Sequence, residues 1–256
     1  MKKRSESIRN KLLPVGAFCL ILLFWWLISV TGLVPSYMLP SPVDVARAFI
    51  KDFPNLIEHA AVSVQEAIYG LGIGIILAFL IATAMDRFET LEKALMPLLV
   101  VTQTIPTIAI APLLVLWMGF GMAPKITLVV VTTFFPIAVG LLDGYKSVDP
   151  DEIDLLRSMN ATRSQIFLHV KIPEALPYFF SGLKVAASYA VVGAVISEWL
   201  GGFEGLGVYM TRVRKAYAFD KMFAVIILII IVSLLLMALV TLLRNLTMPW
   251  EKVKEK

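Results

Sequence analysis

Residues 149–173 read DPDEIDLLRSMNATRSQIFLHVKIP, a polar island between hydrophobic stretches long enough to cross a bilayer. Local chemistry predicts two short helices and a tight turn. Asp149 is placed to cap the first helix, Pro150 suits its first position, and Glu152 stands where it would complete a capping box. Ile153, Leu156 and Met159 then share one face at helical spacing. Asn160 is, after glycine, the residue that best tolerates a left-handed stop at a helix C-terminus. Thr162 and Gln165 predict a second capping box, and Ile166, Phe167 and Val170 line a second apolar face ahead of Pro173. A helix pair of this kind between membrane spans is a docking surface for a protein in the adjoining aqueous phase.

The rest of the chain predicts an all-α membrane protein. It is 59% hydrophobic, with a mean hydropathy of +0.83, against roughly 45–50% apolar residues in ordinary soluble domains. Six segments are apolar and long enough to span, at about 13–33, 68–85, 95–118, 125–142, 179–200 and 223–243. The layout is therefore a terminal segment at 1–12, a six-span domain at 13–245 and a tail at 246–256, with no room for a soluble domain between spans.

Lysine and arginine set the expected orientation. Lys2, Lys3, Arg4, Arg9 and Lys11 precede the first span, and Arg87 and Lys93 separate the second from the third. Lys146, Arg157, Arg163, Lys171 and Lys184 flank the connection from the fourth to the fifth, and Arg244, Lys252, Lys254 and Lys256 follow the sixth. These sixteen fall on the side shared by both termini, against seven on the other: Arg47, Lys51, Lys125, Arg212, Arg214, Lys215 and Lys221. The positive-inside rule places both termini and the 149–173 island in the cytoplasm. The net charge of +4 is mostly this bias and needs no nucleic acid to explain it. The first apolar run is too long for a secretory signal core and lacks a small-x-small cleavage site, so an uncleaved span is expected, with Trp25 and Trp26 suited to it. Cys19 is not a lipidation site, because Phe18 stands where a small residue is needed. A single cysteine excludes an intramolecular disulfide, and His59 and His169 alone make no metal cluster.

The spans differ in character. The sixth is Val, Ile and Leu nearly throughout and suits a lipid-facing position. The fifth carries Gly182, Ala186, Ala190 and Ala194 at four-residue spacing, with Gly193 and Ser197 nearby, which lets helix backbones approach closely and predicts an interior position. Gly70 and Gly74 give the second span a weaker form of that signal, equally readable as small core residues. The third is interrupted by Pro97, Pro106 and Pro112 and carries Thr102, Gln103, Thr104 and Thr107 near its middle. Two readings stand: the wall of a solute pathway, or a kinked helix whose threonines bond back to its own carbonyls. Glu198 closes the fifth span, where it could line an external gate, pair with a cation such as Arg212, or rest in interfacial water. The cluster Arg212, Arg214, Lys215 could meet an acidic surface or simply be solvated.

Several apparent motifs carry no chemistry. Gly144-Tyr145-Lys146-Ser147 lacks the frame of a phosphate-binding loop, and Gly70-Leu71-Gly72 opens no strand-turn-helix unit. The helix pair has too few cations to read DNA. No base and nucleophile with a supporting acid can be assembled from two histidines, so no catalytic residue and no cofactor is expected. A stand-alone secondary transporter or channel would call for mid-span carboxylates and an internal repeat, and neither is visible. Nothing positive supports a scaffold.

The island resembles the EAA loop of bacterial ABC-importer permeases, whose pattern runs Glu-Ala-Ala, Gly, then Ile-x-Leu-Pro. Asp154-Leu155-Leu156 stands at the first element, Asn160 at the glycine, Val170 at the isoleucine, and Ile172-Pro173 at the closing pair, without a gap. Residues 59–245 are similar to the subfamily serving taurine, alkanesulfonate, nitrate and thiamine-precursor uptake. The residues carrying this are Gln103-Thr104-Ile105-Pro106, Pro112-Leu113, Trp117-Met118-Gly119-Phe120-Gly121, and Glu198 followed by Gly201-Gly202 and Gly205-Leu206-Gly207. Glu66 stands where these relatives often carry a basic residue, which speaks against a role for it.

The resemblance implies a MetI-like bundle in a bacterial cell membrane, with five spans forming the importer core and a cytoplasmic coupling helix pair. It implies two permease copies, two cytosolic ATPase subunits and an extracytoplasmic solute-binding protein. Asp154, Asn160, Ala161, Thr162, Ile166 and Pro173 would couple to the ATPase. Gln103, Thr104, Pro106, Thr107 and Glu198 would line the substrate pathway. The implied substrate is a small organic solute, and the segment 198–225 is most similar to permeases assigned to pyrimidine precursors of thiamine.

Overall fold

The computed structural model describes the backbone of residues 2–250 and side chains from residue 13 on. The helices, in chain order, are α1 (Lys2–Val30), α2 (Pro42–Lys51), α3 (Phe53–Arg87), α4 (Glu89–Thr104), α5 (Thr107–Met118), α6 (Met122–Lys146), α7 (Pro150–Ser158) and α8 (Arg163–Ile166). A π-helical turn at Phe167–Lys171 follows, then α9 (Ile172–Gly201), α10 (Leu206–Lys215) and α11 (Phe219–Thr247). Lys252, Lys254 and Lys256, and the side chains of the basic residues at 2–11, lie outside the described residues.

Among the described residues, five helices are long and apolar enough to cross a membrane: Leu13–Val30 within α1, α3, α6, the run Arg163–Leu200, and α11. The third expected span, 95–118, is not a straight rod. Helices α4 and α5 meet at 100° across the break between Thr104 and Thr107. Of the three prolines, Pro97 and Pro112 lie within helices and only Pro106 breaks one. Ile105 is forced out of the helical region by the proline that follows it and adopts φ −80°, ψ 122°, and Pro106 itself is non-helical at ψ 123°. Helix α3 is much longer than the expected 68–85, because the polar residues His59, Ser63 and Glu66 lie on the helix rather than in a loop.

The chain divides into two compact units. The first comprises residues 1–58 and 209–228. In it, Ser41 caps α2 through the Asp44 amide with Pro42 in the first turn, Trp25 donates to Pro40 O at 3.1 Å, and its ring stacks on Phe223 at 5.5 Å. Buried Asp52, closing α2, accepts hydrogen bonds from Tyr209 and Asn55 and pairs with Lys221.

The second unit, residues 59–208 and 229–256, holds the main core. Its axis is the pair α6 and α9, and small residues explain why. A Cβ on Gly182 would lie 2.2 Å from Pro136 O, so the α9 backbone rests directly on α6. Ala186, Ala187, Ala190 and Ala194 are fully buried along the same seam. The weaker glycine signal in the second span is also packing, since a Cβ on Gly70 would meet Val129 Cβ at 2.4 Å. The window of α11 that qualifies as a span is mostly exposed, as its uniform aliphatic sequence predicts for a lipid-facing helix.

Candidate functional site

The 149–173 island folds largely as its local chemistry dictates. Asp149 caps α7 by accepting from the Asp151 amide at 2.9 Å; the reciprocal arm expected from Glu152 is not formed. Asn160 takes the left-handed conformation, φ 61°. The Ala161 amide then reaches back to Leu156 O at 3.0 Å, and the Asn160 amide to Arg157 O at 2.9 Å, closing α7. Thr162 and Gln165 form the complete capping box.

The second half departs from a separate short helix. Arg163–Leu200 is one continuous helical run. The π turn joins α8 to α9, with the Ile172 amide bonding Phe167 O five residues back. The widened turn directly precedes Pro173, whose ring would otherwise meet a carbonyl four residues back. Ile166 is buried within the chain and anchors this helix, while Asn160, Thr162 and Pro173 are exposed and Ala161 is half-buried. Asp154 is exposed and pairs with Arg157 at 3.1 Å. Leu155 and Met159 are 61% and 71% exposed, a large apolar area for a segment so polar. Lys171, in the π turn, reaches both carboxylate oxygens of Asp86 at the end of α3, at 2.6 and 2.9 Å.

At the α4–α5 break a cavity of about 290 Å³ is lined by Gln103, Pro106 and Thr107, and also by Thr132, Tyr189 and Gly193 from α6 and α9. The back-bonding expected of a kinked helix is present. Thr102 and Thr104 bond back to Leu99 O and Val101 O, as a kinked helix requires. Gln103 and Thr107 are left to the cavity. Thr104 and Glu198 are not among its lining residues.

Glu198 is instead 1% exposed and sits in a polar clasp. Ser63 Oγ donates to Glu198 Oε1 at 2.6 Å, and the Gly207 amide donates to Oε2 at 2.6 Å. The Leu206 amide donates to Ser63 Oγ at 2.8 Å and the Gly205 amide to His59 Nδ1 at 3.1 Å. Three consecutive amides at the start of α10, those of Gly205, Leu206 and Gly207, are thus held by side chains of α3 and α9. The glycines make this possible. Gly205 has φ +117°, and a Cβ there would fall 2.2 Å from Glu198 Cδ; one on Gly207 would fall 2.2 Å from Val195 O. Glu198 is therefore buried rather than in interfacial water. Ser63→Ala would leave the Leu206 amide and one Glu198 oxygen unpaired, a cost of about 1–3 kcal/mol each. A clear drop in the thermal stability of the detergent-purified protein is expected, and an unchanged transition would show that the clasp does not stabilise the fold.

Glu66, given no role from sequence, is buried and accepts from Lys125 Nζ at 2.6 Å. Its second oxygen, Oε2, is buried without a hydrogen-bond partner. Lys125, counted from sequence among the seven cations on the far side at the start of the fourth span, lies in the first turn of α6 and is 6% exposed. Each is a lone charge at the edge of an apolar run, the signal that could have found both.

Residues 70–247 match the model of the binding-protein-dependent transport system inner membrane component family. The chain belongs to that family. It is 37% identical over 98% of its length to the formylaminopyrimidine transport permease protein ThiX of Halalkalibacterium halodurans, covering 99% of that protein. It is 29% identical to the taurine transport system permease protein TauC of Escherichia coli, over 98% of this chain and 94% of that one. The fold is similar to a chain of the MetNI methionine ABC transporter in inward-facing conformations, with a TM-score of 0.61 and 20% identity over 75% of this chain and 94% of that one. The protein is thus a multi-pass membrane permease of an ABC importer. It is a transport subunit and not an enzyme, and ATP hydrolysis belongs to separate partner chains.

Proposed function

We propose that this permease carries its solute past the α4–α5 break and is driven through the 149–173 island, with both termini and the island in the cytoplasm. One observation carries the reading. The helical run Arg163–Leu200 has the exposed island turn at one end, and toward the other it contributes Tyr189, Val192, Gly193 and Ile196 to the cavity wall. At about 1.5 Å per residue, roughly 40 Å of continuous helix links Arg163 to Tyr189. A displacement of the island by an ATPase therefore moves the wall of the cavity directly. Asp154, Asn160, Ala161, Thr162 and Pro173 present the docking surface, and Ile166 transmits the load from inside.

Gln103, Thr104 and Ile105 are exposed beside the cavity, which supports a second copy of the permease closing the pathway from the opposite side. An extracytoplasmic binding protein delivers the solute to the face opposite the island. The relative named for formylaminopyrimidine transport is the more similar of the two relatives above, and it supports a small heterocyclic solute. The test of the pathway is Gln103→Leu. Uptake by the intact importer should fall at least about tenfold, while membrane insertion and ATPase association stay normal, because removing a polar group eases insertion. Weak interhelical polar contacts are worth only about 0.6 kcal/mol on average, so a residue with a purely structural role would leave uptake within about threefold of wild type. That result would return α4–α5 to the kinked-helix reading.

A further inference from the structure

The cavity at the α4–α5 break has a chemistry that narrows what passes. None of its twelve lining residues carries a charge. The hydroxyl hydrogens of Thr102 and Thr132 are already committed to Leu99 O and Val129 O, at 2.6 and 2.9 Å, which leaves their oxygens as acceptors. Gln103, Thr107 and Tyr189 make no side-chain hydrogen bond within the described residues and remain free to donate. Helix α4 ends and α5 begins at the same point, so carbonyls and amides left without helical partners stand close together and the two end charges oppose each other. Gly193 keeps the α6 wall open, since a Cβ there would stand 3.1 Å from Thr132 Oγ1. Tyr189 adds an aromatic wall, and Ile110, Val131, Val192 and Ile196 complete an aliphatic one. At about 290 Å³ the space is at the small end of ligand sites.

We propose that this cavity is a recognition station for a small planar solute with no net charge, a heteroaromatic ring bearing amine or amide groups, and that Thr132 and Tyr189 are its specificity-determining contacts. The inference rests on the pathway reading above and adds to it that the permease itself selects. The ring lies against Tyr189, and its donors and acceptors meet Gln103 and the threonines. An anion entering the same space would leave water with no cation to receive it, because Lys125 is committed to Glu66 and no lysine, arginine or histidine lines the wall.

The test uses the permease with its ATPase subunits and no binding protein, so that only the permease can discriminate. In a Cys19→Ser background, Val192→Cys places a thiol in the wall, and Thr107→Cys places one on the opposite side as a second reporter. Labelling by a small neutral maleimide is timed at pH 8 with 4-aminopyrimidine or with ethanesulfonate. Half-protection by 4-aminopyrimidine is expected at a concentration at least about tenfold below that for ethanesulfonate, and Tyr189→Ala should raise it at least about threefold. Equal or better protection by the sulfonate, or protection by neither probe at both reporters, overturns the proposal. The pathway reading fails by a different result: uptake by the complete importer that is indifferent to Gln103→Leu. Loss of uptake in Gln103→Leu with unselective protection would leave the pathway standing and remove the recognition station.

Discussion

Ala161→Glu is expected to reduce transport to background and to strip the ATPase subunits from the purified permease. Ala161 follows the left-handed Asn160 and precedes the cap residue Thr162, so it stands at the tip of the turn between α7 and α8. Its small side chain is half-buried in the chain alone. A glutamate there places bulk and an unpaired charge in a contact that must lose water when the ATPase docks. An uncompensated buried charge costs roughly 3–5 kcal/mol, and each 1.4 kcal/mol is about tenfold in affinity. Thr162→Ala is the matched control. It removes a cap worth about 1 kcal/mol of local helix stability without adding charge, so association should weaken by less than about tenfold and transport should persist. Both changes lie outside the membrane spans, and insertion should be normal in each. Quantitative copurification and vesicle uptake read the two effects separately.

The second large effect concerns the ion pair between Glu66 and Lys125, whose side chains are 1% and 7% exposed. Lys125→Met leaves Glu66 as a buried carboxylate with neither oxygen paired, and breaking a buried pair from one side costs roughly 3–5 kcal/mol. The single variant should aggregate at a markedly lower temperature than wild type, or fail to accumulate. The double variant, Lys125→Met with Glu66→Leu, should recover most of the loss, because replacing a buried pair by apolar residues of similar volume is often neutral or stabilising. If the double variant were as unstable as the single one, the pair would not be the source of the effect.

What was legible in the sequence was local. The Asn160 stop and the Thr162–Gln165 box depend on residues three positions apart, and they form as written. The small-residue stripe of the fifth span is a property of one helix face, and it marks the seam with α6. That Gln103, Pro106 and Thr107 border a cavity was legible because proline and polar groups at membrane depth are rare enough to signal one. What was not legible depends on partners far apart in sequence. Ser63 and Glu198 are 135 positions apart and Glu66 and Lys125 are 59 apart, so nothing in either neighbourhood identifies the other member. Glu198 accordingly reads as a gate or interfacial acid until the loop glycines fold onto it. Three prolines mark the third span equally, and only the tertiary setting decides that Pro106 breaks it while Pro97 and Pro112 do not. The π turn is hidden for the same reason. Pro173 reads as the end of a helix, whereas the widened turn before it lets the helix continue into α9.

Coupling through the island is tested by a single cysteine at Ser164, an exposed position on α8, in a Cys19→Ser background. A thiol-linked photo-crosslinker attached there should capture the ATPase subunit in membranes containing the whole importer. An impermeant thiol reagent applied outside intact cells should leave the same cysteine unlabelled. Strong external labelling, or the absence of any crosslink to the ATPase while transport is intact, would contradict the claim that this helix pair takes the work of ATP into the permease.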